Sequence, residues 1–350
     1  MSDLTLATRE LFERTVHEQV FMRSPVIEKL LKRNKVTYSG GKTIDSLVDT
    51  AEMTELGQAY TPNTALTDEK KDFLAKPSFS WKYYQMPMKY GVDEYTQNIT
   101  AGDEEQLLDL AAFLVKKGQR GIKLALERMI FNVDPETNTG SETGTADGSK
   151  FFQSLLSALD HDVTTYGSLS RTFASATNGY WHGADPEGAY LGVTTSSQGT
   201  AYNISMSNIR KWVIPIREYM ETPSDLYIMM CPSLFNKFRA EYEARVSFKA
   251  GDTQGSTNFD ELQFDKYTLA SIPYMENGGS GISYMYNWVF MLNLADWELR
   301  IHNKRNFEMT EFTWQGDRSN GYDAWLARIM LVGNFICWKP NGSMYLQEVS

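Results

Sequence analysis

The sequence predicts an α+β fold. Three observations carry this: a long helical periodicity over 103–132, a helix, buried strand and helix in succession over 205–246, and a period-two alternation of apolar and polar residues in the strands that follow. At 350 residues and 42% hydrophobic, the chain can bury a substantial core in one large domain or in two interleaved ones. Its 22% charged and 13% aromatic residues place it outside the regime in which ordering entropy keeps a chain unfolded.

Over 3–35, Leu4, Leu11, Val16, Val20, Ile27 and Leu31 fall at a broken helical spacing interrupted by Pro25, the pattern of an N-terminal arm of short helices. Residues 43–48 read as one strand and 79–92 as a second, with Phe79, Trp81 and Tyr83 alternating with Ser80 and Lys82. The polar stretch 49–77 between them is too long for an ordinary connection, so 41–98 is expected to be an extended two-stranded arm. Left bare, its second strand would be a sticky edge. Phe79, Trp81, Tyr83, Tyr84, Met86 and Met88 are therefore the candidate residues for contact with another subunit.

The helix over 103–132 keeps Leu107, Leu110, Leu114, Ile122, Ala125 and Met129 on one face. Thr100 with Asp103 resembles a capping box, Gly102 moving the cap by a residue or two. Acidic residues at 103–105 and 109 and basic ones at 116, 117, 120, 123 and 128 complement the helix dipole. At ~1.5 Å rise per residue such a helix is roughly 45 Å long. Gly118 and Gly121 each weaken it by ~1 kcal/mol, and they serve either as a helix bend or as places of close packing.

Beyond it, 133–150 reads as a Gly, Thr and Asp surface loop, 151–159 as a short helix and 251–258 as a flexible loop. The stretches 205–220, 225–231 and 232–246 make an α/β unit. Tyr284, Tyr286, Trp288, Phe290, Leu292 and Leu294 are expected on one face of a strand, and Trp297, Leu299 and Ile301 on one face of the next. Residues 326–338 are almost wholly apolar, and the Asn341 and Gly342 pair is expected to turn them through a tight hairpin into a last strand over 344–349. No internal repeat is visible.

Motifs for chemistry are tested and set aside. Gly41, Lys42 and Thr43 match the end of a phosphate-binding loop, but Val36 stands where that motif needs Gly and a strand follows. Gly140, Gly144 and Gly148 lie in a Ser, Thr and Asp segment with no strand leading in, which is a solvent loop rather than a nucleotide cradle. His17, His161, His182 and His302 are scattered without ligand spacing, and His161 beside Asp160 and Asp162, or His182 near Asp185, read as capping or surface groups. There is no G-x-S-x-G elbow, and Cys231 and Cys337 sit in apolar runs as small buried hydrophobes. No catalytic residue, metal ligand or cofactor is assigned, and an enzyme is not expected. Charged residues among the first 21 exclude a signal-peptide apolar stretch, and no apolar run reaches a membrane span, so synthesis and assembly in the cytoplasm without a membrane partner are expected.

One ordered set of segments goes further. Tyr166, Gly167, Ser168, Leu169, Ser170 and Arg171, with Trp181 following, resemble a Y-G-G-I-S-R motif and its trailing aromatic. Val193, the helix over 205–219, and the strand over 225–231 running into Pro232, Ser233, Leu234 and Phe235 come next. Ile272, Pro273 and Tyr274 then stand at a G-I-P-V position, with Ser271 for the Gly. Phe290, Leu292 and Asn293 before Trp297 and Leu299 match a paired-strand motif. In these residues the chain is similar to the major capsid proteins of tailed phages, by order and spacing over 150–350 and by architecture in the N-terminal third.

The resemblance implies the Hong Kong 97 phage capsid fold. It implies 1–40 as N-terminal arm, 41–98 as extended loop (a β-hairpin), 99–204 as peripheral domain with spine helix 103–132, 205–325 as axial domain, and 326–350 as C-terminal strands returning to the core. It implies a subunit that self-assembles as hexamers and pentamers into the icosahedral shell of a virion. Further implied partners are a separate scaffolding protein, a portal and a decoration protein. Alternatives are an encapsulin-like nanocompartment shell of the same fold and, from another class, a β-rich surface module binding glycans through its 8 Trp and 19 Tyr. The formal charge of −10 argues against sequence-specific nucleic acid binding, and suits a container wall that does not hold its contents tightly.

Overall fold

A computed structural model describes residues 29, 35–49, 59–62, 73–94, 110–137, 139–141, 144, 149–160, 163–171, 181, 183, 203–245, 261–277, 283–315, 323–347 and 349. The helices expected in 3–28, the Thr100 and Asp103 cap, the acidic first turns of the long helix, His17, His161, His182, Gly148, Val193 and the 251–258 loop lie outside the described residues. The described residues form two compact units, one within 84–124 and 305–331, the other within 24–83, 125–304 and 332–350.

The first strand among the described residues is β1 (Lys35–Tyr38), and an antiparallel ladder follows it. β2 (Thr43–Asp45) and β3 (Val48–Asp49) lead out, and β4 (Leu74–Ala75) and β5 (Ser78–Ser80) return, Ile44 opposite Phe79 and Val48 opposite Ala75. The single strand expected over 43–48 is thus two. The strand expected over 79–92 is also divided: Trp81 separates β5 from β6 (Lys82–Gly91), and β6 leaves the ladder to pair with the strand at Ala324–Cys337. The bare second edge expected of the arm is corrected accordingly, since its longer part is a sheet strand with a partner far away in sequence.

α1 (Leu110–Ile130) stops where Asn132 takes a φ of 61°. The Asn132 and Val133 amides donate back to the carbonyls of Met129 and Arg128 at 3.1 and 2.7 Å, which satisfies groups the helix end would orphan. α2 (Leu155–Leu159) is capped reciprocally by Ser154 and Ser157, each hydroxyl accepting from the other's amide. β7 (Thr165–Tyr166) and β8 (Leu169–Ser170) form a hairpin whose two turn residues, Gly167 and Ser168, sit at φ 59° and 64°, the handedness that suits strand twist. α3 (Met206–Arg217), β9 (Leu226–Met230) and α4 (Pro232–Arg245) make up the expected α/β unit, with Ser205 accepting from the Asn208 amide as the first cap. β10 (Glu261–Phe264), β11 (Tyr267–Ser271), α5 (Tyr274–Asn277), β12 (Val289–Asn293), β13 (Trp297–Met309), β14 (Thr313–Trp314), β15 (Ala324–Cys337) and β16 (Met344–Leu346) follow.

Two five-stranded sheets organise these strands: β1-β13-β15-β14 with β6 also on β15, and β10-β11-β9-β12-β16. In β13, buried Trp297, Leu299 and Ile301 alternate with half-exposed Glu298, Arg300 and His302, as their spacing predicts. β9 and β12 are buried at every position, the mark of strands covered on both faces. Two expectations fail here. Residues Ser283–Asn287 are a 3-10 turn with Met285 buried and Tyr286 exposed, so the aromatic alternation over 284–288 is not a strand face. The Asn341 and Gly342 pair makes no hairpin either: neither has the positive φ such a turn needs, and the 3-10 turn Pro340–Gly342 carries the chain from β15 in one sheet to β16 beside β12 in the other.

Candidate assembly surface

In the larger unit, the root of the β2–β5 ladder sits in a socket made by the β7–β8 hairpin. Phe79, 2% exposed, meets the Tyr166 ring edge-on at 5.0 Å and Trp338 at 5.6 Å. Only glycine fits at 167, because a Cβ there would lie 2.6 Å from Phe79 Cζ. The Ser78 amide donates to the Gly167 carbonyl at 2.8 Å, and the Ser168 hydroxyl to the Ser78 carbonyl at 3.2 Å. Behind the hairpin, Trp181 Nε1 donates to the Tyr166 carbonyl and the Cys337 amide to Tyr166 Oη. Buried Arg171 lays its guanidinium over the Tyr166 ring and donates to the carbonyls of Asp160 and Ala158 at 2.8 and 2.6 Å. Tyr166, Gly167, Ser168, Arg171 and Trp181 thus have a structural part: they build the socket that holds the root of the β2–β5 ladder.

Polar groups hold the same region in register. Buried Asn334 accepts from the Gln153 amide and donates to the Ser80 carbonyl, tying β15 to β5. Asp45 is gripped by Lys76 and Ser78, each at 2.8 Å, and these partners hold its carboxyl down at about 2. Gly144, expected in a solvent loop, is instead pressed onto α2. Its Cβ would lie 2.6 Å from Leu156 backbone, and its amide donates to Asp160.

The candidate contact residues do not share one face. The break at Trp81 shifts the in-and-out alternation by one residue: Phe79 points inward before it, Lys82 and Met88 inward after it. Phe79 and Met88 are core residues with almost no exposed surface, which corrects the expectation for those two. Lys82 is buried too, its Nζ donating to the Ser149 carbonyl. Trp81 is half-buried, with Nε1 on the Gly41 carbonyl and its ring edge against His302 at 5.7 Å. Tyr84 and Met86 are half-exposed and Tyr83 is 74% exposed. In the smaller unit, Gly118 and Gly121 lie under β6: a Cβ at 118 would meet Met88 Sδ at 2.6 Å and Ile329 Cδ1 at 3.1 Å, and one at 121 would meet Met86 Cε at 3.1 Å.

Other exposed apolar side chains carry no signal in the sequence. Leu47 and Leu74 flank the ladder, and Ile214 and Tyr286 stand on the larger unit. In the smaller unit Trp314 and Trp325 are opposite one another across β14 and β15, with Trp314 Nε1 donating to Asp323. β14 is too short to show a period. Half of the eight tryptophans, Trp181, Trp212, Trp288 and Trp297, are buried in the core, so these four serve packing rather than an aromatic platform for a ligand. Among the described residues no group of three or more His, Cys, Asp or Glu is placed to hold a metal. Cys231 and Cys337 are free and buried, and burial pushes both thiols up.

No protein-family model matches the sequence, and no curated protein matches it. Solved structures do. The cyanophage A-1(L) capsid asymmetric unit contains a chain 12% identical with a TM-score of 0.64, covering 100% of this chain and 99% of that one. The capsid of the native GTA particle gives 11%, 0.54, 100% and 99%, and the capsid of Myoviridae phage XM1 gives 13%, 0.54, 99% and 98%. A likeness of backbone path that runs the length of both chains at this identity is a likeness of fold, and the chain has the Hong Kong 97 phage capsid fold.

Proposed function

We propose that this chain is a major capsid protein whose copies assemble, as hexamers and pentamers, into an icosahedral shell enclosing a phage genome. One observation carries the reading: the fold matches, end to end, chains solved as phage capsids. The role is structural rather than enzymatic, and the partners are first of all further copies of the chain. Residues 41–98 act as the extended arm, 99–204 as the peripheral domain and 205–325 as the axial domain, with 326–350 returning to the core. Exposed Leu47, Leu74 and Tyr83, together with half-exposed Tyr84 and Met86, supply surface that a neighbouring subunit buries.

Electron microscopy and sedimentation of the full chain, expressed alone and with a scaffolding partner, test this. Closed shells, tubes or five- and six-membered rings are expected. A chain that stays monomeric in both conditions overturns the proposal. Shells recovered from infected cells filled with protein cargo instead of genome would point to the nanocompartment alternative.

A further inference from the structure

We infer that the exposed face of α1 is a sequence-independent contact surface for nucleic acid phosphates; the inference rests on the capsid reading, under which the packaged genome is the occupant. Lys116, Lys117, Arg120 and Lys123 are all exposed, whereas Gly118, Ile122 and Ala125 on the opposite face are buried. At 3.6 residues per turn, Lys116, Arg120 and Lys123 fall within roughly 60° of arc, with Lys117 beside them. The stripe is about 10 Å long at ~1.5 Å per residue. Residues 110–126 contain no Asp or Glu, in a chain that has 44 of them against 34 Lys and Arg. Four positive charges gathered on one helix face of an acidic protein are a local feature that the net charge conceals.

The chemistry of the face selects the ligand. A protein partner would need apolar or aromatic anchors at the centre of its footprint, and among the described residues none of the exposed large hydrophobics lies within 111–124. The other exposed residues of the face are Ala112 and Gln119, so there is no aromatic platform for stacking bases. Phe113 is half-buried and carries the Lys117 ammonium 5.7 Å from its ring centroid. What remains is a row of exposed cations. Such a row suits a polyanion with closely spaced charges, and duplex DNA carries one per ~1.7 Å of axis. It makes contacts that position and do not read sequence. The acidity of the rest of the chain keeps each contact weak, so DNA can slide against the wall.

The experiment uses the full-length soluble chain and a labelled duplex of random sequence, with binding followed by anisotropy as salt rises from about 50 mM. Replacing the stripe as K116Q, K117Q, R120Q and K123Q should weaken binding by about ten-fold or more and flatten the salt dependence, by up to ~0.9 in log–log slope for each phosphate no longer neutralised. The charge-conserving set K116R, K117R, R120K and K123R should bind as the parent does, which separates charge from folding. Equal duplex binding by parent and neutral variant, or none by the parent, overturns the inference. So does stripe-dependent capture of a polyglutamate peptide without capture of duplex, which would assign the face to an acidic protein segment. Assembly is scored separately by microscopy: shells, tubes or rings without stripe-dependent DNA binding sink this inference alone, and stripe-dependent binding by a chain that stays monomeric sinks the capsid reading.

Discussion

Alanine at the two glycines of α1 should have different effects, and the outcome at each position follows from what its Cβ would meet. In a helix interior, glycine to alanine gains about 1 kcal/mol from backbone entropy. At Gly121 the added carbon finds only Met86, whose terminal Cε at 3.1 Å can rotate aside, so most of that gain should survive. At Gly118 it would press on Met88 Sδ at 2.6 Å and Cγ at 3.0 Å with Ile329 Cδ1 at 3.1 Å, and Met88 is itself buried. Overpacking of this kind costs about 1–3 kcal/mol, which cancels or exceeds the entropic gain. Gly121→Ala should therefore stabilise by about 0.5–1 kcal/mol, and Gly118→Ala should be neutral or destabilising by up to ~2 kcal/mol. Urea unfolding below the assembly concentration measures both. Combining Gly118→Ala with Met88→Ala, which removes the obstructing sulfur, should show a favourable coupling. If Gly118→Ala stabilised as much as Gly121→Ala and showed no coupling to Met88, the packing account would be wrong, and a bend would be the better reason for glycine there.

Phe79→Ala should remove ~3–5 kcal/mol, because it empties the socket between Tyr166, Trp338 and Gly167, and amide exchange over 43–45 and 78–80 should quicken with it; a loss below about 1 kcal/mol would contradict a buried anchor. Burial pushes the Asp296 carboxyl up to about 6, with Asn293 Nδ2 donating to it at 2.5 Å. Because the folded value lies above the unfolded one of 3.8, the native state holds this proton more tightly. The stability it contributes is complete below pH ~4 and is lost as pH rises through about 6, by at most ~2 kcal/mol after screening. Asp296→Asn should remove that component from urea midpoints measured between those pH values; the same pH slope in parent and variant would refute it.

The parts of the fold legible in the sequence are those in which local period and burial coincide. α1 follows from its apolar spacing, the unit of α3, β9 and α4 from a buried strand between two helices, and β13 from Trp297, Leu299 and Ile301. What is not legible depends on partners distant in sequence. Trp81 satisfies an alternating pattern equally well as a strand residue or as a break, and only the pairing of β6 with β15 decides between them. That one-residue slip is why Phe79 and Met88, which an unbroken alternation would put on opposite faces, are both core, while Tyr83 is exposed. The Y-G-S-L-S-R segment is visible as a motif, yet its role as the socket for β5 emerges only when Phe79 is brought over Gly167.

Completion of the β10-β11-β9-β12-β16 sheet depends on β16, the last strand among the described residues. Residues 344–346 close the free side of β12, and the Val349 amide donates to the Asn287 carbonyl at 2.7 Å. Until this segment has emerged from the ribosome, β12 presents an apolar strand with an open row of backbone donors and acceptors. Nascent chains crowded on one messenger RNA would offer that edge to each other. A stop codon or proteolytic cut before 344 would thus yield a chain that retains most of the fold and is prone to pair with its neighbours through the wrong strand.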